Sequence, residues 1–489
     1  MKKLLYVCEA DSGGIMEYAI RQAAAIAREG VEVHFLCKPS FPVERLADEI
    51  KVWEFNKSRG PSDQRGGLAG KILRVLGMIS DLRSEAKQVD QLAEKLPKDS
   101  STRDSLPATR DHLDPAEVFV LFACYKEYFA PLWVWPLRRL ARRGVVIGTI
   151  AHDPVRDFVV GPLWWHRWSV RLGYSFVRHV FVHDYTPVDF GGARPEGIEV
   201  HEIPHGPYEV AEPKIGRLEM RRRFGFLTTD DSDRHGWGTT NHTNLHETKD
   251  SGPCLDKPSC ASESDSLISK LADAPVSESS SRSASASAFL PATSHSPLAT
   301  PAPPDVVFLA FGQIRDGKNL DLFLRAMTRL PKNVKLLVAG KGDSGSSKPA
   351  EYYQKLAEDL GVAERCRWDI RRIPDEEVGD IFAACDVVLV TYSAKFRSAS
   401  GVLNVAVSGR KPVLASSGSG PLKTVVGKYQ LGVFVEPDDL EEILRGASKL
   451  VSSSATGKCE YELHPDWERY ERENSWEENA RRVLEKINK

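Results

Sequence analysis

Three segments of the chain place glycine, serine and basic residues directly after apolar runs: residues 11–14, 311–319 and 392–403. Small residues leave backbone N–H groups accessible, and such groups bind anions where a helix begins. Arg315 and Lys318 of the second segment add charged hydrogen bonds, each worth about 1.5–3 kcal/mol. Together, the three segments predict a binding site for a phosphate or a diphosphate.

Each of these segments also has a purely structural explanation. Gly13 and Gly14 suit a tight turn, loop cations commonly face water, and Ser400 is a good helix N-cap. All three segments follow predicted strands, however, and the carboxyl ends of parallel strands are where ligands bind. Their shared position favours the functional interpretation.

Two further features are weaker. His152 follows another apolar run, and a histidine there could donate to a sugar hydroxyl or a phosphate, or carry a proton. A lone histidine more often has a structural role, and His205 in the segment IPHGP is interpreted as a turn residue. Gly340, Gly342 and Gly345 match the literal dinucleotide motif, but four residues follow before the next helix and no carboxylate takes the ribose role. This segment is predicted to line a nucleotide pocket and not to bind NAD.

The elements that position these residues follow an α/β rhythm. Residues 4–8, 15–28 and 31–37 are predicted as strand, helix and strand, which form a βαβ unit with a parallel sheet. Further strands are predicted at residues 118–124, 145–150, 180–183 and 198–203. Residues 1–210 are therefore predicted to form a doubly wound, Rossmann-like N-terminal domain.

A second series of elements begins after residue 305. Strands are predicted at residues 306–311, 334–339, 367–370, 387–391 and 412–415, and helices at 320–329, 350–360, 375–384, from 401 onward, and 476–489. Residues 306–465 thus form a second Rossmann-like domain facing the first, and residues 466–489 a C-terminal helix that packs back on the N-terminal domain. The site is expected in the cleft at the carboxyl ends of both sheets.

The connection between the two domains, residues 211–305, contains an insert of different composition. Roughly a third of residues 228–304 are serine or threonine, with little apolar periodicity, so this insert is predicted to be disordered. Its Cys254 and Cys260, with three nearby histidines, match no standard metal-ligand spacing. A shorter polar stretch, residues 98–114, is predicted to be a surface loop.

Composition excludes several classes of protein. Lysine and arginine number 66 against 68 acidic residues, a net charge of −2, so no nucleic-acid partner is expected. Eight cysteines without paired spacing indicate neither a disulfide framework nor a zinc site, and they fit a reducing cytoplasm. The apolar run at residues 4–8 is too short for an export signal, and charges and prolines interrupt residues 118–137, so no signal peptide or transmembrane helix is predicted.

The globular part of the chain, residues 1–227 and 305–489, resembles the group 1 (family 4) glycosyltransferases, which have the two-Rossmann GT-B fold. The resemblance rests on the order and spacing of the segments DSGGIMEYA, AHDP, IPHG, FGQIRDGKNLDLFLRAM, KLLVAGKGD, IPDEEVGDIFAACDVVLVTY, SASGVLNVAVSGRKPVLAS and LGVFVEPDD. It implies transfer of a sugar from a nucleotide-sugar co-substrate with retention at the anomeric carbon, with no metal and no other cofactor. The expected function is synthesis of a cell-surface polysaccharide or glycolipid.

The resemblance also implies roles for individual residues. His152 would lie beside the transferred sugar, and Arg315 and Lys318 would neutralise the leaving diphosphate in place of a divalent ion. The donor would be bound around Gly13, Gly14, Gly312, Gly340, Ser400, Gly401, Val402 and Leu403, and its base would be bordered by Arg372 and Ile373.

Two positions depart from the family pattern. Gln313 occupies the place of a frequent arginine, so Arg315 has to substitute for it. The usual pair of glutamates, separated by seven residues, falls on Phe396 and Asn404, or one residue later on Arg397 and Val405. Neither register contains a carboxylate, although Asn404 could still bond a ribose hydroxyl.

The missing carboxylates leave two alternatives. One is a nucleotide-sugar-binding protein that has lost catalysis. The other is a sugar-nucleotide 2-epimerase, which shares the fold but needs carboxylates that deprotonate carbon. This second alternative ranks lower, because the sequence contains no convincing pair of cleft carboxylates.

The acceptor is predicted to be a saccharide or a lipid-linked saccharide. The arginine-rich residues 133–182 include a helix with Trp164, Trp165, Arg167, Trp168 and Arg171. Such a helix can lie on an anionic membrane, as a peripheral contact at the inner face. Alternatively, the tryptophans pack inside the N-terminal domain while the arginines face water.

Overall fold

Two parallel β-sheets organise the part of the chain that the computed structural model describes. The described residues are 3–56, 68–96, 118–124, 126–155, 159–183, 187–226, 304–342, 347–456 and 463–488. Apart from Pro304, the insert predicted at residues 228–304 lies outside them, with its Cys254 and Cys260, and so does the loop predicted at 98–114.

The first sheet contains seven strands within the described ranges, in the order β3-β2-β1-β4-β5-β6-β7. They are β1 (Lys3–Cys8), β2 (Glu32–Cys37), β3 (Lys51–Glu54), β4 (Val118–Phe122), β5 (Val146–Ile150), β6 (His179–Val182) and β7 (Glu199–Glu202). Apolar clusters cover both faces of this sheet. That two-sided burial explains continuous apolar runs such as VFVLF in β4.

The second sheet has the order β10-β9-β8-β11-β12-β13. Its strands are β8 (Val306–Phe311), β9 (Val334–Ala339), β10 (Cys366–Asp369), β11 (Val387–Thr391), β12 (Val413–Ser416) and β13 (Gly432–Phe434). In each sheet the strand order reverses beside the first strand, between β1 and β4 and between β8 and β11. Such reversals open a crevice at the carboxyl ends of the strands.

The helices pack on both faces of the two sheets. They are α1 (Gly13–Arg28), α2 (Leu68–Lys95), α3 (Ala130–Trp133), α4 (Trp135–Arg142), α5 (Leu163–Gly173), α6 (Arg217–Arg223), α7 (Leu320–Met327), α8 (Ala350–Asp359), α9 (Asp375–Ala384), α10 (Gly401–Ser408), α11 (Pro421–Lys428), α12 (Leu440–Thr456), α13 (Trp467–Glu473) and α14 (Trp476–Ile487). No helix in the described ranges combines the length and the apolar content that crossing a membrane requires.

The predicted fold class, two doubly wound α/β sheets, is confirmed. Element boundaries shift by a few residues, and the sequence pattern does not predict the strands β3 and β13 or the helices α2, α6, α11, α12 and α13. All four residues of β3 are exposed, because this edge strand pairs with β2 alone. An edge strand without a buried face leaves no apolar run to detect.

Part of the predicted connection packs with the second sheet. The helix α6 lies against α9, and Met220 and Phe226 join the apolar cluster that contains Ile381 and Phe382. The buried Arg221 of α6 also pairs with Asp386 just before β11. Residues 217–226 are therefore anchored to the second domain.

The C-terminal helix α14 packs against α1 of the first domain. Asn479 of α14 is completely buried. Its Oδ1 accepts a hydrogen bond from Gln22 Nε2 at 2.7 Å, and its Nδ2 donates to the Tyr18 hydroxyl at 2.8 Å and to the Pro204 carbonyl at 2.6 Å. This side chain therefore satisfies three buried polar groups from two distant segments.

Substituting Asn479→Ala should lower the free energy of unfolding by about 3 kcal/mol, because it leaves buried donors and acceptors without partners. Urea denaturation followed by circular dichroism measures the change. The matched control is Glu477→Gln on the same helix, which removes an exposed ion pair with Arg28 and should cost below about 1 kcal/mol. Similar shifts for both variants would contradict a structural role for the buried amide.

Candidate functional site

A cavity of about 740 Å³ lies between the carboxyl ends of the two sheets. The first domain lines it with residues that include Ile15, Cys124, Tyr128, His152 and Asp153, and the second with residues that include Arg315, Gly317, Lys395, Phe396 and Arg397. Small-molecule sites typically enclose about 300–1,000 Å³. The Ser398 hydroxyl donates to Asp153 and so connects the two walls.

The start of α1 forms part of the first wall. Gly13 has a φ of 77°, in the left-handed region that favours glycine. Ile15, two residues further along α1, lines the cavity. Within the described structure, the Ser12 side chain forms no capping hydrogen bond, and Gly13 and Gly14 are exposed. The first N–H groups of α1 are thus accessible to an anion.

His152 follows β5 and lines the cavity. Burial lowers the pKa of His152 to about 4, against a smaller upward effect from a hydrogen bond to the backbone of Ala123. The Nε2 atom is shielded from solvent and has no hydrogen-bond partner among the described residues. The imidazole is therefore neutral at physiological pH, with one ring nitrogen left for a ligand.

His152 belongs to a buried cluster of three histidines around Tyr18. The ring centroids of His152 and His183 are 5.4 Å apart, and those of His183 and His205 are 4.9 Å apart. Burial lowers the pKa of His205 to about 4 as well. The interpretation of His205 as a turn residue is too narrow, since its Nδ1 lies 2.7 Å from Asn404 Nδ2 on α10 and so connects the two domains.

On the second wall, two glycines bring the loops after β8 and β9 into contact. Gly312 has a φ of 85° and Gly340 a φ of 151°. A Cβ atom on Gly340 would lie 1.9 Å from the Gly312 carbonyl oxygen, so only glycine fits there. The packed loop carries Arg315 to the cavity. Gly345, the third glycine of the motif, lies outside the described residues.

Lys318 is placed differently from Arg315. It lines a smaller cavity of about 20 Å³, which Arg315 also borders, and its Nζ donates to the Phe311 carbonyl at 2.6 Å. Burial, together with the positive charge of Arg315, lowers the pKa of Lys318 to about 7. An anion bound nearby would stabilise the protonated form and raise this pKa.

In the third segment, Ser400 acts as the N-cap of α10, its hydroxyl accepting from the Leu403 N–H at 3.2 Å. In this structure the Leu403 N–H thus bonds the serine hydroxyl, and its contact with a phosphate stays a prediction. Gly401 and Val402 are half-buried, and Val402 packs beside Gly312. None of residues 400–403 is among the residues that line the 740 Å³ cavity, so donor binding at this helix start stays a prediction.

Sequence reasoning missed the ligand-facing residues of the same segment. Lys395 and Arg397 both line the cavity. Phe396 between them stacks on Tyr392, with ring centroids 3.9 Å apart. Two basic residues flanking an aromatic one, directly after a strand and among small residues, were the available signal.

The charges on the cavity are arranged asymmetrically. Within the described residues, the side chains of Arg315, Lys395 and Arg397 have no hydrogen bond or ion pair. The acidic neighbours are engaged: Asp316 accepts from the Tyr353 hydroxyl at 2.8 Å and Asp153 from Ser398. The open charges of the cavity are therefore positive, which suits an anionic ligand.

Comparison with known proteins finds a family model that matches the part of the chain containing the second sheet. Residues 299–482 match the family model described as glycosyl transferases group 1. D-inositol 3-phosphate glycosyltransferases of Corynebacterium diphtheriae and Mycobacteroides abscessus are 30% and 28% identical to the chain over 134 and 147 residues. These matches cover 26% and 30% of this chain and 30% and 32% of the relatives, about a third of their length.

Solved structures share the fold over the whole length. Sucrose-phosphate synthase from Thermosynechococcus elongatus matches with a TM-score of 0.58 at 14% identity, covering 100% of this chain and 98% of that one. HepE of Anabaena, solved in complex with UDP and glucose, matches with a TM-score of 0.58 at 13% identity, covering 100% and 99%. The chain thus has the GT-B fold.

Two predicted contacts of the group 1 domain lie away from the cavity. Ile373 packs into the apolar cluster on one face of the second sheet, and Arg372 is exposed; neither lines the 740 Å³ cavity. Their backbone role at the base stays a prediction.

The positions of the missing glutamates have other uses here. Asn404 is buried, faces His205 through Nδ2 and accepts from the Tyr470 hydroxyl through Oδ1. Its amide thus bonds two protein partners in this structure, and the predicted contact with a ribose hydroxyl stays a prediction. In the later register, Val405 packs against an apolar cluster.

Substituting Gly340→Ala should lower the free energy of unfolding by at least about 2 kcal/mol, because a side chain is strained at this φ and meets the Gly312 backbone. Urea denaturation of the full chain provides the measurement. Gly342→Ala is the matched control two residues on, where a Cβ meets nothing within 4 Å; it should change stability by less than about 0.5 kcal/mol. An equal effect of both changes would show that the loop contact is not needed.

Proposed function

We propose that this protein is a retaining, metal-independent glycosyltransferase that moves a sugar from a nucleotide-sugar donor to a saccharide or lipid-linked acceptor. The observation that carries the proposal is a group of cations without partners among the described residues, on the cavity between the two Rossmann-like domains. These cations are Arg315, Lys395 and Arg397. The match of residues 299–482 to the group 1 glycosyltransferases supports the reaction class. The complexes of Anabaena HepE with UDP and glucose support a sugar nucleotide as the first donor to assay.

The donor diphosphate would lie between the start of α1 and the loop after β8. Accessible N–H groups at Gly13 and Gly14 would bind its oxygens from the first domain, with a helix-dipole contribution of about 0.3–1 kcal/mol. Arg315 would bind from the second domain through charged hydrogen bonds worth about 1.5–3 kcal/mol each. These contacts would fix the donor with its anomeric carbon in the cleft.

When the sugar leaves, negative charge develops on the diphosphate. Arg315 and Lys318 would stabilise that charge, the task that a divalent ion performs in other transferases. Among the described residues, the acidic side chains on the cavity do not bring three ligand atoms within 4.8 Å of one another. Arg315 on the cavity and Lys318 beside it supply the positive charge that this role requires.

His152 would contact the transferred sugar. Because its other ring nitrogen bonds the backbone of Ala123, Nε2 carries the lone pair of the neutral ring and accepts a hydrogen bond from a sugar hydroxyl. From the sequence, His152 could either donate a hydrogen bond or carry a proton, whereas this environment favours the role of acceptor. The contact would orient the sugar and would not require a charged imidazole.

A second function, nucleotide-sugar binding without transfer, is favoured by one observation. Phe396 and Asn404 stand where the family has carboxylates, and the Asn404 amide is committed to His205 and Tyr470. Calorimetry with a panel of nucleotide sugars, followed by an assay for nucleoside diphosphate release, separates the two functions. Binding without release would select the second.

Substituting Lys318→Ala should reduce the release of nucleoside diphosphate by about 100-fold, the equivalent of one charged hydrogen bond of about 3 kcal/mol. Release is measured in a coupled assay with the donor found by calorimetry. Lys341→Ala is the control, since Lys341 is exposed on the neighbouring loop and the change in net charge is the same. Unchanged turnover in Lys318→Ala would remove Lys318 from the mechanism.

The same lysine predicts a pH dependence of donor binding. Below pH 7 the free protein already carries the proton on Lys318, whose pKa is about 7. Above it, binding has to take up a proton, so affinity should fall by up to about tenfold per pH unit. Calorimetry from pH 6 to pH 9 with an intact nucleotide sugar tests this, because a terminal phosphate would itself titrate near about 6. The slope should vanish in Lys318→Ala.

The acceptor side is proposed to touch an anionic membrane through α5. Trp164 and Trp168 are 67% and 47% exposed, and Arg167 and Arg171 beside them are exposed. Trp165, in contrast, packs inward and donates its Nε1 hydrogen to the Tyr128 carbonyl at 3.2 Å. The tryptophans are thus divided between the two alternatives, and Tyr128 links this face to the cavity.

Replacing both exposed tryptophans, Trp164→Ser with Trp168→Ser, should weaken binding to vesicles of anionic lipid by at least about tenfold, because each buries a large apolar side chain in the interface. Co-sedimentation at two salt concentrations measures binding and its electrostatic part. Tyr352→Ser, on an exposed aromatic of the second domain, is the control. Vesicle binding that survives the double substitution would place the acceptor contact elsewhere.

A further inference from the structure

Three potential metal ligands meet at the amino-terminal ends of β6 and β7. His179 pairs with Glu199 in the parallel register, and His201 lies two residues further along β7. Because side chains alternate along a strand, these positions point to the same face of the sheet. These amino-terminal ends lie opposite the cleft. The carboxyl end of β6, followed by His183, is the end that faces the cleft.

The ligand atoms are close enough to share one ion. His179 Nδ1 lies 2.9 Å from His201 Nε2, and His201 Nε2 lies 3.7 Å from Glu199 Oε2. In tetrahedral zinc sites with bonds of about 2.0–2.1 Å, ligand atoms are about 3.3 Å apart. The two distances bracket that value, so movements of about 0.4 Å would complete the geometry.

The surroundings hold these side chains in place. Arg178 donates to Glu199 Oε1 at 2.7 Å, which leaves Oε2 on the side of the imidazoles. The rings of His179 and His201 meet through their facing nitrogens, with centroids 5.2 Å apart and planes inclined by 28°, and Phe181 lies against both. Fixed carboxylate and imidazole orientations of this kind are typical of metal sites.

The protonation states also fit. Burial is the main reason that the pKa of His179 is lowered to about 4, and burial lowers the pKa of His201 too. Neutral imidazoles have a free lone pair for a metal, so binding releases little or no proton near pH 7. The positive charges of Arg178, Arg194 and Lys486 face the two histidines and would moderate the affinity for a cation.

The chain contains an internal comparison for this arrangement. The tripeptide Glu-Val-His occurs twice, at residues 32–34 and 199–201. At the first copy, Lys51 donates to Glu32 and Trp53 Nε1 donates to His34 Nδ1, so the neighbouring strand supplies a cation and a donor. At the second copy the neighbouring strand supplies the imidazole of His179. Only the second copy has an electron-pair donor opposite the tripeptide.

We propose that His179, Glu199 and His201 bind one divalent transition-metal ion of the zinc class, with water as the fourth ligand. The ion would cross-link the edge strand β7 to β6. Two imidazoles and one carboxylate suit zinc better than magnesium or calcium, which prefer oxygen ligands. The site stabilises the N-terminal domain and takes no part in sugar transfer, which occurs at the other end of the sheet.

The test uses the full chain, stripped with a chelator and titrated with Zn²⁺ against a chromogenic chelator. Wild type should bind an ion that His201→Asn loses, with an affinity reduced by at least about 100-fold, more than the loss of an outer-sphere partner causes. Glu199→Gln should reduce affinity by about 10–100-fold. The matched control, Glu32→Gln in the first tripeptide, should bind zinc as wild type does. Ions bound elsewhere in the chain contribute equally to all four proteins.

A thermal scan provides the second measurement. Zn²⁺ at about 100 times the wild-type dissociation constant should raise the midpoint of wild type and of Glu32→Gln, should raise that of Glu199→Gln by less, and should leave His201→Asn nearly unchanged. Nucleotide-sugar binding should be the same in all four, so the outcome is independent of the proposed transferase activity. Equal zinc affinity in His201→Asn and wild type, or no rise of the wild-type midpoint, would overturn the proposal. The 2.9 Å contact would then be a hydrogen bond between two neutral imidazoles.

Discussion

The structure depends on one constraint, the burial of parallel strands on both faces. Helices cover both sides of each sheet, so the chain can approach a ligand only along the edge where strands end. In both sheets the central strands, β1 and β8, run into short loops at that edge. The contact between Gly312 and Gly340 then fixes the loop after β8 against its neighbour. The cavity exists because the two edges face each other.

The cavity at that edge has an excess of unpartnered positive charge in the absence of a ligand, within the described residues. The acidic side chains on the cavity are satisfied by the protein, whereas Arg315, Lys395 and Arg397 are not, within the described residues. Lys318 is also affected, because burial lowers its pKa to about 7. A diphosphate would relieve that imbalance, and hydrophobic packing elsewhere would hold the unfavourable arrangement in place until it binds. The neutral His152 adds a hydrogen-bond acceptor without adding charge.

Local sequence patterns predict most strands of the fold, and the elements that they miss have physical explanations. The apolar runs at β1, β4, β8 and β11 are long and bounded by turn residues, so they predict parallel strands. The edge strand β3 buries nothing and leaves no such run. The helix α6 is short and strongly basic, and only its contacts with the second sheet reveal why it is ordered. Pattern-based prediction thus succeeds for strands buried on both faces and misses the exposed edge strand β3.

The site divides in the same way. Glycine and serine after a strand imply accessible N–H groups, and Arg315 reaches the cavity because the loop is short; both follow from residue types in order along the chain. The partners of Asn404, the inward turn of Trp165 and the meeting of His179 with His201 do not. Each joins side chains from segments far apart in sequence, and periodicity and turn chemistry act over only a few residues. Long-range packing alone could select those partners.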